Sequence, residues 1–265
     1  MFSKTCLETL SAFMLLFFRF LIAFAIMVII FRKRLLTMNR KTLFAGLAVG
    51  LTYFAVMVAE TFALKISPSS TVALLENTAI VIVPFLAALV YKKRLQISAV
   101  GCALVAIVGV GLIVGEGEAI SFNSGIILAL LAAALYAVAI VITDYCAKAE
   151  DPILIGVIQL GSMAALSGIC GLIFETPAVP SSSLEWMCIL ELAIVCSCFG
   201  FALQPLAQRG TTAERASLFC AFAPAVAAIL GWIFLHETFG IFGIIGSVLI
   251  VFSVILSNFF NNDAT

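Results

Sequence analysis

Apolar runs of about 20 residues recur along nearly the whole chain, and they restrict its fold more than any other feature. As an α-helix, each run matches the thickness of the hydrocarbon core of a bilayer. Lipid offers no hydrogen-bond partners, so each crossing segment must satisfy its own backbone. The sequence therefore predicts an all-α, polytopic membrane helix bundle. The nine predicted spans are Ala12–Phe31, Leu43–Leu64, Val72–Val90, Ile97–Gly115, Ile126–Thr143, Ile153–Phe174, Leu184–Leu203, Ala216–Leu235 and Ile241–Asn258.

Charge is sparse and unevenly placed. The chain is 64% hydrophobic and 11% charged, which excludes a soluble globular domain. If the first span runs from outside to inside, the predicted outer segments keep only Lys4 and Lys65, and the positive-inside rule puts the C-terminus in the cytoplasm. We expect a multi-pass protein of the cell (inner) membrane, with no basic surface left for nucleic acid. The predicted cytoplasmic residues are Arg32, Lys33, Arg34, Arg40, Lys41, Lys92, Lys93, Arg94, Lys148, Arg209 and Arg215.

Two stretches about 144 residues apart resemble each other, residues 67–95 and residues 211–239. Each contains a small polar run, an apolar helix with a proline, a short charged loop and the start of another apolar helix. The first loop is basic, residues 92–94, whereas the second reads His236-Glu237-Thr238. Matching loops of unlike charge indicate two copies inserted in opposite directions, which is typical of secondary transporters.

Extending this match aligns spans one to four with spans six to nine. Arg19 then corresponds to Gln159, and Glu60 corresponds to Gln204. The predicted repeats are residues 1–118 and residues 119–265. The fifth span has no partner, so one helix is expected to be missing before Ala12. A truncated start and a true nine-span variant both stay open.

Several strings carry a resemblance to a known family. MLLFFRFLIA, VIVPFLAALVYKKRL and LQPLAQRGTTAERASLFCAFAPAVAAILGWIFLHE resemble motifs of the EamA branch of the drug/metabolite transporter superfamily. The resemblance implies ten helices in two inverted five-helix repeats and export of small metabolites or drugs. The chain departs from the family pattern in the missing first helix, in Glu191, and in His236, which replaces a glycine.

Ionisable side chains inside the predicted spans are the main site candidates, because each costs about 3 kcal/mol or more in a bilayer without a partner or a function. They fall in the outer half, with Arg19 about 10 Å and Glu60 about 6 Å below the outer ends of their helices. We expect a vestibule that attracts a cationic or zwitterionic solute. The alternative is structural ion pairing, Arg19–Glu76 and Lys65–Glu60. The candidate substrate-binding residues are Arg19, Tyr53, Glu60, Glu76, Asn77, Tyr136, Gln159, Glu191 and Gln204.

Glu60 and Glu76 are predicted to face each other across a helical hairpin, and Glu76 is the preferred residue for proton coupling. Tyr53 and Tyr136 are expected to line a central cavity. Pro84 and Pro224 are candidate hinges for alternating access, with static bends as the alternative. Proton coupling and homodimerisation both stay open at this point.

An enzyme is disfavoured because no catalytic set is visible. The single histidine, His236, lies at a loop, and no aspartate falls within a predicted span. No metal or cofactor is expected, and the expected partners are a small-molecule solute and the lipid bilayer. The inverted repeat therefore predicts a secondary transporter. The family resemblance implies export of small metabolites or drugs, and the charges of the expected vestibule favour amino acids and amines. A non-transporting scaffold or an inactive truncated transporter is the alternative.

Overall fold

The computed structural model describes residue 7 and residues 10–67, 69–92, 97–114, 124–220 and 241–262. These residues are almost entirely helical, and no strand occurs among them, so the predicted all-α class is confirmed. The α-helices are α1 Ala12–Leu35, α2 Arg40–Ile66, α3 Ser69–Glu76, α4 Ala79–Val90, α5 Ile97–Val114, α6 Ser124–Ala149, α7 Pro152–Phe174, α8 Ser183–Glu191, α9 Gln204–Arg209, α10 Ala213–Cys220 and α11 Ile241–Asn262. A π-helix, Leu192–Phe201, joins α8 to the turn before α9.

Within the described residues, five helical segments are long and apolar enough to cross a membrane: α1, α2, α6, α7 and the combined segment Ser183–Arg209. Shorter apolar helices include Ala79–Val90 and Ile97–Leu112. Large apolar side chains on these helices remain exposed, among them Ile29, Phe44 and Phe199. Such exposure suits a bundle surrounded by lipid rather than by water.

The third predicted span, Val72–Val90, is not one continuous helix. It is divided into α3 and α4 by a turn at Asn77 and Thr78. The Asn77 amide donates to the Ala73 carbonyl at 2.7 Å, and the Thr78 hydroxyl donates to the Leu75 carbonyl at 2.6 Å. Polar side chains that bind nearby carbonyls compete with regular helix bonding, which gives this break a local cause.

The seventh predicted span also departs from a plain α-helix, because its second half is the π-helix. The Ala202 N–H bonds the Ser197 carbonyl at 2.9 Å, five residues back, and the Ser197 hydroxyl donates to the Leu192 carbonyl at 3.1 Å. The first of these is the backbone i to i−5 bond of a π-helix, whose turns are wider than those of an α-helix. π-Helical turns are rare in proteins, and those that occur frequently lie at functional sites. The residues around this stretch are therefore candidates for a functional site.

The chain forms two compact units, and each unit draws on both halves of the sequence. Unit one contains residues 1–66 and 142–210, and unit two contains residues 67–141 and 211–265. Helix α6 contributes residues to both. The predicted boundary between residues 118 and 119 separates two sequence repeats and not two compact units. It stays a prediction.

In unit one, α1 and α7 run antiparallel and in close contact. A Cβ added at Gly161 would lie 2.8 Å from the ring of Phe24, and one added at Gly168 would lie 2.9 Å from the ring of Phe17. A step of seven residues toward the C-terminus of α7 thus matches a step of seven residues toward the N-terminus of α1. These two helices are the matched first and sixth predicted spans, and their opposite directions agree with an inverted repeat.

Helix α2 runs parallel to α7 on another side. A Cβ at Gly46 would lie 2.6 Å from Ile158, and one at Gly50 would overlap the hydroxyl of Ser162. Small residues at these two positions let the two backbones approach closely, as is common where membrane helices pack. Helix α7 therefore occupies the middle of unit one and supplies one wall of the site described below.

The two ends of unit one are held differently. At the first end, which we call the Phe13 end, the Glu175 carboxylate accepts from the Phe13 backbone N–H at 3.0 Å. The Phe13 ring contacts the rings of Phe54, Phe62 and Phe174 at centroid distances of 5.8–6.4 Å.

At the opposite end, the Asp151 end, Arg34 pairs with Asp151 at 2.8 Å on the surface. There the Glu150 carboxylate accepts from Asn39 and Thr42 at 3.2 and 2.7 Å. The Phe13 end is therefore largely aromatic, and the Asp151 end is held by polar contacts.

Unit two has two small apolar cores. One joins α5 and α11 through residues such as Ala106, Val110 and Ile250. A Cβ at Gly109 would lie 2.7 Å from the Gly246 carbonyl oxygen, so these helices also pack tightly. The other core joins α4 to α6, largely through alanines.

Candidate functional site

Arg19 lies near the middle of α1 and is buried, with 9% of its surface exposed. Its Nε donates to the Ser197 hydroxyl at 2.9 Å, and its guanidinium lies over the rings of Phe20 and Phe201 at 5.1 and 5.7 Å. Its terminal nitrogens make no hydrogen bond to any residue that the structure describes. One edge of the guanidinium is thus fixed by the Ser197 hydroxyl.

The aromatic side chains beside Arg19 form one continuous group. Phe201 packs edge-on against Phe20 at 6.0 Å and against Tyr53 at 5.4 Å. Tyr53 is fully buried, as is Phe20. The predicted cavity residue Tyr53 therefore belongs to the wall next to Arg19, and cation–π contact stabilises the charge there.

Ser197 and Phe201 are site residues that the sequence did not single out. Both lie in the π-helix, whose wide turns place the Ser197 hydroxyl between the Leu192 carbonyl and Arg19. A serine within an apolar span carries no charge and therefore gives little signal, and π-helical register cannot be read from hydrophobic spacing.

Two acids lie around the same cation. The carboxylates of Glu60 and Glu191 interact electrostatically with Arg19. Within the described part of unit one, however, the ion pairs closer than 4.0 Å are Arg34–Asp151 and Lys148–Asp144. Arg19 therefore has no carboxylate in direct contact there.

Of these two acids, Glu191 is incompletely satisfied. Oε2 of Glu191 is buried without a hydrogen-bond partner among the described residues. The alternative ion pair Lys65–Glu60 is not formed, because the Lys65 ammonium instead lies 5.4 Å from the centre of the Phe62 ring. Among the described residues, two acids thus lie near the buried guanidinium and interact with it electrostatically.

The amides predicted for this region also fall in unit one. Gln159 lies on α7 and is completely buried, and no described residue lies within hydrogen-bonding distance of its amide oxygen or nitrogen. Gln204 is half-buried and begins α9 just after the π-helix. Unit one thus collects Arg19 and most of the predicted polar candidates.

The remaining candidates belong to unit two or lie outside the described residues. Glu76 ends α3 at the helix break, and Asn77 forms that break. Tyr136 packs against the apolar core of α4 and α6. Pro84 is buried inside α4, and Pro224 lies outside the described residues. The predicted pairing of Glu60 with Glu76 joins residues of different units and stays a prediction.

Two further polar residues of unit one were missed or undervalued by sequence reasoning. Asp144 is fully buried in α6, one residue beyond the predicted span, and it pairs with Lys148 at 2.8 Å. The statement that no aspartate lies in a span is therefore wrong for the helix as formed, and the Asp–Lys spacing of four was the available signal. Cys196, half-buried on the π-helix, interacts electrostatically with Arg19, Glu60 and Glu191.

No group of three or more His, Cys, Asp or Glu side chains in the described ranges could hold a metal ion. Around Arg19 the described residues bring together a guanidinium, a serine hydroxyl, carboxylates and aromatic rings. Such groups recognise charged and polar parts of small organic molecules.

Comparison with known proteins places this bundle in a family. The sequence model of the EamA-like transporter family matches residues 1–115 and 123–259. The chain belongs to the EamA-like transporter family. This EamA-like chain is accordingly a multi-pass membrane transporter of the drug/metabolite transporter superfamily. The predicted family is confirmed, and the missing first helix stays a prediction.

A solved structure described as "Crystal structure of protein" is similar to this EamA-like chain with a TM-score of 0.80 and 20% sequence identity. The match covers 97% of this chain and 91% of that chain. At such identity the likeness supports the fold alone. No curated protein matches the chain.

Proposed function

We propose that this EamA-like protein is a secondary transporter that exports small solutes such as amino acids, amines or drugs across the cytoplasmic membrane by alternating access. The Arg19 site of unit one binds the solute. The observation that carries this proposal is a buried arginine that has two acids nearby but no carboxylate in contact within the described part of unit one.

Desolvation explains why this arrangement favours binding over structure. A buried charge costs several kcal/mol, and a purely structural ion pair recovers that cost only with close, well-aligned contact. Arg19 instead has a hydroxyl on one side and aromatic rings across its face. A solute carrying both an acidic and an amino group would complete the set, with its anion on Arg19 and its cation near Glu60 and Glu191.

Counterflow in proteoliposomes tests the proposal with a panel of radiolabelled amino acids and amines. We expect wild-type flux for at least one solute, and loss of that flux in Arg19→Ala and Glu60→Gln. Arg32→Ala is the matched control, because Arg32 lies exposed on the same helix. Absence of wild-type flux for every solute would favour the scaffold alternative. Equal flux in Arg19→Ala and Arg32→Ala would show that the transported solute does not bind at Arg19.

Orientation forms part of the proposal. Basic residues of unit one gather at the Asp151 end, including Arg32, Lys33, Arg40 and Lys41, which supports a cytoplasmic location for that end under the positive-inside rule. From the distribution of basic residues along the whole sequence, we also propose a cytoplasmic C-terminus. A fluorescent C-terminal fusion should mature normally, whereas a C-terminal alkaline phosphatase fusion should stay inactive. An active phosphatase fusion would reverse the orientation.

Proton coupling is assigned to Glu76 within the same proposal. This carboxylate lies at a helix break, and broken helices commonly form ion sites in transporters. Glu76→Gln should abolish uptake driven by an imposed pH gradient while counterflow persists. Gradient-driven uptake that survives this substitution would argue for another coupling residue or for facilitated exchange.

A further inference from the structure

Gln159 is the most completely buried amide among the described residues of unit one, ahead of Gln208 on α9, which is 2% exposed and likewise lacks a described partner. The Gln159 side chain is 0% exposed, and both polar atoms lack a partner among the described residues. Buried amides are normally hydrogen-bonded, because an unmet donor or acceptor loses its bonds to water without replacement. A native protein keeps such a group where something else comes to meet it.

The surroundings of Gln159 connect it to the Arg19 site. Gly156 lies one helical turn away on the same face of α7, and a Cβ there would overlap the carbonyl oxygen of Ala202. Ala202 directly follows Phe201, whose ring lies against Arg19. Gln159 therefore approaches the end of the π-helix that also flanks the cation.

The packing of α1 on α7 gives the spacing. Gly161 of α7 lies beside Phe24 of α1, and Gly168 lies beside Phe17. In this register Gln159 lies beside residue 26 of α1. That residue is seven positions, or about 10 Å along the helix axis, from Arg19. It lies on the side of Arg19 toward the Asp151 end. Unit one thus contains a charged side chain, Arg19, and an uncharged polar side chain, Gln159, at two different levels along its helices.

We propose that Gln159 forms a second subsite, which binds an uncharged hydrogen-bonding group of the solute such as a carboxamide or a hydroxyl. An amide offers a donor and an acceptor together, so it discriminates for groups that do the same. A solute lacking that group leaves the amide unmet, which is the situation in which polar sites reject analogues most strongly. This inference rests on the proposed function, because it assigns a specificity to the same solute site.

The test compares wild type with Gln159→Met, which keeps the length of the side chain and removes its polar atoms. The first readout is the thermal midpoint of the purified protein without solute. We expect Gln159→Met to be more stable than wild type, because an unmet buried amide is replaced by an apolar group of similar shape. A lower midpoint would overturn the proposal, since it would show that protein or ordered water already satisfies the amide.

The second readout is thermal stabilisation by L-glutamine against L-methionine, two probes of similar length of which only the first carries a carboxamide. We expect wild type to prefer L-glutamine about tenfold in apparent affinity and Gln159→Met to lose that preference. Equal affinity of wild type for both probes, or no binding of either, would overturn the subsite. Binding preference without counterflow would instead count against the transport proposal, so the two failures are distinguishable.

Discussion

Replacing Gly156 by alanine tests whether close contact between α7 and the end of the π-helix holds unit one together. An added Cβ would overlap the Ala202 carbonyl oxygen and would lie 2.8 Å from its carbonyl carbon. Ordinary carbon–carbon contact needs about 3.5 Å, so the two backbones must separate by about 0.7 Å or more. Both neighbours are backbone atoms, and no side-chain rotation can relieve the overlap. Overpacking of this kind costs about 1–3 kcal/mol.

The matched control is Gly101→Ala, because a Cβ at Gly101 in α5 meets no atom within 4 Å. It should gain up to about 1 kcal/mol from the better helix former. At about 2–4 °C per kcal/mol for chains near this length, the cost of overpacking should lower the thermal midpoint of Gly156→Ala by about 2–12 °C. Fluorescence-detected size-exclusion chromatography of heated, detergent-solubilised protein measures this. A midpoint for Gly156→Ala equal to or above that of Gly101→Ala would refute the packing argument.

Two further predictions concern the π-helix. Ser197→Ala removes the hydroxyl that accepts a hydrogen bond from Arg19 Nε, so it should weaken solute binding about tenfold. The control Ser253→Ala should lose little affinity, because the Ser253 hydroxyl bonds only its own helix. Equal affinities in the two variants would contradict a role of Ser197 in positioning Arg19. Modification of Cys196 by a small charged thiol reagent should block uptake and be slowed by solute, because this cysteine adjoins Arg19 electrostatically. Cys196→Ser should then resist the reagent while Cys170→Ser stays sensitive, and the reverse pattern would place Cys196 away from the path.

The ends of the long membrane-spanning helices could be predicted because the length of each apolar run decides them. The predicted first span starts at Ala12 and the sixth ends at Phe174, as α1 and α7 do. The break at Asn77 and Thr78 was not predicted, since it depends on side chains bonding nearby carbonyls within an apolar run. The π-helix was missed because its register cannot be read from the spacing of apolar residues.

The site was predictable in composition and less so in arrangement. The cost of burying charge singled out Arg19, Glu60, Glu76 and Glu191. The structure places all of them except Glu76 in unit one, where Glu60 and Glu191 interact electrostatically with Arg19. Periodicity could not show that Arg19 binds a serine hydroxyl rather than a carboxylate. That choice depends on tertiary packing between helices about 180 residues apart in the chain.

The unlike ends of unit one imply that its helices separate more easily on one side than on the other. At the Asp151 end, the Arg34 side chain is 47% exposed, and surface ion pairs contribute only about 0–1 kcal/mol and weaken with salt. At the Phe13 end, parting the helices would disrupt several ring contacts and expose aromatic surface, which costs more. Hydrogen exchange should therefore be faster at the Asp151 end, and raising ionic strength should accelerate it there alone.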